Sequence, residues 1–274
     1  GKTIKVVASY TDAHGTAEPV SSTATGAVVN VNSAPTRSVT ITGAAAQGQV
    51  LTAANNLADA DGLGTITYQW QANGANIGGA TASTFTLTEA QVGKTITVVV
   101  SYTDGHGTAE AVSSSATGTV ANVNDAPTGT VTISGTATQG QVLTAANTLA
   151  DADGLGTIGY QWQANGANIS GATGNTFTLT EAQVGKTITV VASYTDGHGT
   201  VESKTSAATA AIANVNDAPT GSVTVTGTAA LGQTLSAANN LADADGLGTI
   251  GYQWQADGAN IVGATGSSYT LTSA

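Results

Sequence analysis

The chain has 274 residues, no cysteine, 17 acidic against 6 basic side chains and a formal net charge of −11. That balance excludes a nucleic-acid binder, which needs cationic side chains against phosphate. The lack of cysteine excludes disulfide stapling, so the fold must be held by core burial, interfaces or bound ions. No apolar run is long enough to cross a bilayer, so membrane insertion is not expected.

The sequence is periodic. Trp70, Trp162 and Trp254 are spaced by one constant interval (162 − 70 = 254 − 162 = 92), as are His14, His106 and His198, and Pro35, Pro127 and Pro219. Residues 1–34 begin inside a repeat, Gly1-Lys2-Thr3 matching Gly93-Lys94-Thr95, and are expected to hold its final two strands. Complete repeats then follow at 35–126 and 127–218, and residues 219–274 hold the earlier strands of another incomplete repeat.

Within 35–126, strands are predicted at 37–43, 49–54, 66–71, 84–88, 94–103 and 108–123. Ile66, Tyr68 and Trp70 alternate with Gln69 and Gln71, while Ile96, Val98, Val100 and Tyr102 share one face against Thr95, Thr97, Val99 and Ser101. Period-two alternation of this kind marks half-buried strands. Asn73-Gly74 is a hairpin-turn signal. The predicted fold class is therefore all-β: tandem immunoglobulin-like antiparallel β-sandwiches.

The string from Tyr68-Gln69-Trp70 through Asn73-Gly74, Phe85-Thr86-Leu87 and Gly93-Lys94-Thr95 to Ser101-Tyr102-Thr103-Asp104 resembles the bacterial immunoglobulin-like repeats of giant secreted adhesins, including those of the RTX type. The linker Asn122-Val123-Asn124-Asp125-Ala126-Pro127 resembles the calcium-binding linker of cadherin-like domains. The resemblance covers the whole chain and implies an extracellular, calcium-rigidified stalk. The antibody-domain disulfide and the glycine-rich nonapeptides of RTX solenoids are both missing, so a stalk segment is expected and not a secretion-signal end.

The acidic residues point to a metal independently. They cluster at repeat-fixed places: Asp59 with Asp61, Asp151 with Asp153, Asp243 with Asp245; Asp12, Asp104 and Asp196; Asp125 and Asp217. A merely solvating acidic surface would scatter its charges over the strands, which here carry Thr, Ser and Gln instead. In an immunoglobulin-like sandwich the loop after the second strand, the loop between the last two strands and the incoming linker share one end. The expected ligand set for a Ca²⁺ ion is thus Asn122, Asn124 and Asp125 with Asp151, Asp153 and Asp196. The preceding joint would use Asn30 and Asn32 with Asp59, Asp61 and Asp104, and the following one Asn214, Asn216, Asp217, Asp243 and Asp245. Calcium suits such sites because it takes about 6–8 oxygens in tolerant geometry. Ser33 stands where later linkers have Asp125 and Asp217, so the first site lacks a carboxylate and is expected to be weaker.

Plainer readings compete at each place. Asp and Gly suit turns for backbone reasons alone, but the recurrence beside two other acidic segments favours metal. The loop histidines are left out, since oxygen-rich sites prefer hard cations. Asp104 and His106 in one loop do not supply a catalytic triad, and Gly93-Lys94-Thr95 lacks the strand-to-helix turn of a phosphate loop. Alternation with Tyr68 and Ile66 places Trp70 in the core and not against a glycan. No enzyme is expected.

The functional expectation is a calcium-stiffened stalk of a bacterial surface adhesin or extracellular filament. A ligand-binding adhesin module for host or matrix ligands, and a filament subunit completed head-to-tail by strands of a neighbouring copy, are the alternatives. In that last reading Asp12 completes a neighbour's site, and Ile4, Val6 and Ala8 cover the face behind Tyr252, Trp254 and Tyr269. The preferred explanation of the broken phase is the plainer one, a window cut from a longer repetitive chain whose flanking sequence continues the fold.

Overall fold

A computed structural model describes residues 1–273; Ala274 lies outside the described residues. The chain divides into two compact units, Gly1–Asn124 and Asp125–Ala274.

The first unit opens with a hairpin of β1 (Val7–Thr11) and β2 (Ala17–Ser21). A full sandwich follows: β3 (Val39–Thr42), β4 (Val50–Asn55), β5 (Thr67–Ala72), β6 (Ala75–Asn76), β7 (Thr84–Thr86), β8 (Ile96–Thr103) and β9 (Ala109–Ser113). One sheet has the order β3-β4-β7 and the other β6-β5-β8-β9, all neighbours antiparallel. This is an immunoglobulin-like sandwich. The alternation predicted in β8 is observed: Ile96, Val98, Val100 and Tyr102 are buried and the residues between them are half-buried. Trp70 is fully buried at the centre with Leu51 and Leu87, stacks on Phe85 at 5.8 Å, and donates its indole N–H to the Ala82 carbonyl at 2.9 Å. Full burial of each such side chain is worth about 1.5–3 kcal/mol against exposure.

Asn73 and Gly74 both have positive φ (47° and 79°), the backbone that a two-residue hairpin turn requires. Asn73 also accepts the Thr95 N–H through Oδ1 at 2.9 Å, fastening the turn to the start of β8.

The last predicted strand, 108–123, is corrected by the structure: β9 ends at Ser113. Beyond it, Ser114, Thr117 and Val120 donate their N–H groups to the carbonyls of Val98, Ile96 and Lys94, so the segment advances three residues for every two of β8. A regular ladder cannot keep that register. The hydroxyls of Ser114 and Thr117 accept the Val98 and Ile96 N–H groups instead, which is why a Ser/Thr/Ala tract stands here. A 3₁₀ turn at Glu89–Gln91, also absent from the strand prediction, is closed by the Thr88 hydroxyl donating to Gln91 Oε1.

The second unit repeats this plan in β10 (Val131–Ser134), β11 (Val142–Asn147), β12 (Gly159–Ala164), β13 (Ala167–Asn168), β14 (Thr176–Thr178), β15 (Ile188–Thr195) and β16 (Val201–Thr205). Its core centres on Trp162, Leu143, Leu179, Ile188 and Val190. Several cross-strand pairs differ between the sandwiches, and one of them changes a core contact. Val100 opposite Val112 becomes Ala192 opposite Lys204, and the Lys204 ammonium reaches the Pro127 carbonyl at 3.1 Å. The smaller alanine leaves room for the lysine stem, which can lie along apolar surface with its charge at a polar partner.

The unit continues through β17 (Val223–Thr226), β18 (Thr234–Asn239), β19 (Gln255–Ala256), β20 (Ala259–Asn260) and β21 (Ser268–Thr270). Residues 251–254 match the start of β12 in sequence but form no ladder, because no counterpart of β15 lies among the described residues of this repeat. Tyr10, Val20, Val223 and Val225 are all more than half exposed.

Candidate metal centre

The acidic loops are built in layers, and the structure gives the two members of each Asp-Ala-Asp pair different tasks. The first folds the loop. Asp59, Asp151 and Asp243 accept through Oδ1 the N–H of the Asp two residues on, at 2.8, 2.9 and 3.0 Å, the local turn that Asp favours. In the complete sandwiches their second oxygen accepts a buried tyrosine hydroxyl, Tyr102 to Asp59 at 2.6 Å and Tyr194 to Asp151. Burial and then this bond to a carboxylate push both phenols well above their ordinary range. Asp59 and Asp151 therefore have both oxygens engaged by protein.

The second member ties the linker. Asp61, Asp153 and Asp245 accept through Oδ2 the backbone N–H of Ser33, Asp125 and Asp217, at 2.7, 2.6 and 2.8 Å. The tie is to backbone, so Ser33 keeps it while lacking the carboxylate that Asp125 and Asp217 add.

The loop between the last two strands supplies a third layer. Asp104 Oδ1 accepts the N–H groups of His106 and Thr108, both at 2.8 Å, and Asp196 Oδ1 those of His198 and Thr200, also at 2.8 Å. The Thr108 amide above all holds the Asp104 carboxyl below its usual range, against the opposing effect of burial. For Asp196 burial is the largest influence and acts upward, but the Thr200 and His198 amides outweigh it and the net direction is again down. Asp12 makes the same cage with His14 and Thr16 in the β1–β2 hairpin.

The two loops touch. Gly105 donates its N–H to the Asp61 carbonyl at 3.0 Å and Gly197 to that of Asp153 at 2.9 Å. At Gly156 a Cβ would lie 2.0 Å from the Thr195 carbonyl, so only glycine permits this approach. In the second unit Asp125, Asp151, Asp153 and Asp196 are thus brought together by direct contacts between their segments.

What remains unsatisfied within this assembly points to a cation. Asp153 is 4% exposed and Asp196 7%, yet Asp153 Oδ1 and Asp196 Oδ2 are buried with no hydrogen-bond partner. Asp104, 6% exposed in the first unit, repeats this at Oδ2, and Asn122 has a buried Oδ1 likewise unpartnered. Buried anionic oxygens without partners are strongly unfavourable unless a cation meets them. Asn30, Asn32, Asn124, Asn214 and Asn216 are exposed; Asn32 donates to Glu110 at 2.7 Å and Asn216 to the Asp217 carbonyl at 3.0 Å. His106 Nε2 lies 3.9 Å from Asp61 Oδ1, beyond hydrogen-bond range, with its side chain 55% exposed.

Glu181 is not among the ligands expected from the sequence. Carboxylate oxygens of Glu181, Asp217 and Asp245 all lie within 4.8 Å of one another, and Glu181 Oε2 is buried without a partner. Glu181 sits in the 3₁₀ turn Glu181–Gln183 of the sandwich that precedes this linker. Its signal was available, because Glu89 and Glu181 are also repeat-fixed acids. It was missed because the turn lies at the end of the sandwich opposite to its own Asp-Ala-Asp loop.

No family model matches the chain, and no curated protein matches it. Among solved structures it is similar to a Ca²⁺-stabilized, ice-binding adhesin of an Antarctic bacterium, with 18% identity over 86% of this chain and a TM-score of 0.31. It is also similar to a tetra-tandem repeat from the extending region of a large adhesion protein, with 20% identity over 86% of this chain and a TM-score of 0.29. The chain spans 64% and 63% of the length of these two. Tandem immunoglobulin repeats of Dlar match at 11% identity over 64% of this chain and 93% of theirs, with a TM-score of 0.21.

Proposed function

We propose that this chain is a calcium-stiffened structural stalk segment of a bacterial surface adhesin or extracellular filament, acting outside the cell and without catalysis, with flanking repeats as its partners. The observation that carries this reading is the pair of buried carboxylates Asp153 and Asp196, each with an unpartnered oxygen, on loops that touch each other. Their donors are all hard oxygens and the chain has no cysteine, a set that suits calcium over softer metals. At extracellular calcium even a site with a dissociation constant of roughly 10⁻⁴ to 10⁻³ M would be occupied. Because the linker amide already rests on the second Asp of each pair, an ion bound there would fasten linker to sandwich as well as loop to loop. Near-identical repeats favour a spacer, whereas recognition of a ligand calls for loops that differ.

Solution scattering of the 274-residue chain in calcium and in chelator tests the proposal. Chelation should broaden the distribution of interatomic distances as the linkers loosen; superimposable profiles would refute the stiffening.

A further inference from the structure

We infer that Gln139 is a positioning residue that holds the Asp217 linker carboxylate ready for the ion, an inference that rests on the calcium reading above. Three contacts come from this one residue. Its backbone N–H donates to the Ala213 carbonyl at 3.0 Å, its side-chain Oε1 accepts the Val215 N–H at 3.0 Å, and its Nε2 donates to Asp217 Oδ2 at 2.9 Å. Residues 213, 215 and 217 alternate along the linker, so Gln139 reads one side of an extended strand-like segment. In the first unit Gln47 repeats the first two contacts, with the Ala121 carbonyl at 2.9 Å and the Val123 N–H at 3.1 Å.

The chemistry of glutamine explains the choice. Asp217 stands among Glu181 and Asp245, so whatever fixes it must not add a negative charge that repels or a positive charge that replaces the ion. A neutral amide supplies an acceptor for the linker backbone and a donor for the carboxylate at once. With Oδ2 on the Gln139 amide and the backbone N–H on Asp245, the aspartate is fixed at both ends and Oδ1 is left to meet a cation. The ordering of a mobile linker side chain is then complete before the ion arrives, and binding need not supply it. In the third repeat the equivalent position (139 + 92 = 231) is Leu231, 72% exposed, which can make neither side-chain contact.

The experiment is a calcium titration of the whole chain followed by amide NMR. The Asp217 and Asp245 resonances report this joint, and those of Asp125 and Asp153 serve as an internal control. The variant Gln139→Met keeps the side-chain volume and removes both hydrogen bonds; Gln139→Asn keeps the amide but is one methylene too short. Both should weaken binding at the Asp217 joint about tenfold, in line with one hydrogen bond to a charged group. The control resonances and the calcium-free melting temperature should not move, whereas a merely structural role would lower the latter. On an Asp217→Ala background, which removes the acceptor, the Gln139→Met change should have no further effect on affinity. Equal or tighter binding in Gln139→Met, or the same tenfold loss on the Asp217→Ala background, would overturn the role of Gln139 while leaving the calcium site standing. A wild-type chain that takes no calcium at any joint would instead remove the site itself.

Discussion

Replacing Asp153 by asparagine separates an ion ligand from a turn-forming residue. The native carboxylate is 4% exposed, with Oδ2 on the Asp125 amide at 2.6 Å and Oδ1 unpartnered. Asparagine can keep the first contact through its carbonyl while its neutral amide fills the space of the second. Without calcium, Asp153→Asn removes a buried charge held only by an uncharged donor, so its melting temperature should equal or exceed that of the wild type. With calcium the balance reverses. A ligand at about 100 times its dissociation constant stabilises by roughly 2.7 kcal/mol, and for a domain of this size each kcal/mol moves the midpoint by about 4–8 °C. The wild-type sandwich should therefore gain on the order of 10–20 °C on going from chelator to saturating calcium, and the variant should lose most of that gain. Calorimetry on both proteins in both buffers measures the four midpoints. If Asp153→Asn lowers the midpoint equally in chelator and in calcium, Asp153 is a turn residue only and the metal argument fails.

Acid should weaken the calcium-free fold in a specific way. Asp104 and Asp196 are held below the usual carboxylate range, so what they contribute is complete above the unfolded value near 4 and is lost as pH falls through their lower native values. Urea unfolding in calcium-free buffer should show a decline in stability below about pH 4 that is shallower in the Asp104→Asn, Asp196→Asn variant; parallel curves would contradict it. A second prediction concerns Arg37, which has a φ of 75° where the other repeats place Gly129 and Gly221. Arg37→Gly should raise the stability of the first sandwich by about 1 kcal/mol in chemical denaturation, the left-handed strain outweighing the added freedom of the unfolded chain.

Much of the fold was legible because it rests on local alternation. Ile96, Val98, Val100 and Tyr102 could face only one way once β8 was a strand, and Asn73-Gly74 encodes its turn in two residues with positive φ. The end of β9 was not legible, because Ser114 and Thr117 read as strand residues until their hydroxyls are seen taking the place of ladder carbonyls. Sequence by itself determined the repeat, the sandwich class and the places where acidic residues gather. Tertiary structure alone separated Asp151, spent on Tyr194 and the loop backbone, from Asp153, which keeps a buried oxygen unpartnered. It also brought Glu181 and Gln139 to the linker from the preceding sandwich. The physical reason is that composition and spacing say which groups are acidic, whereas burial and the partners reached through space decide which of their oxygens is left for an ion.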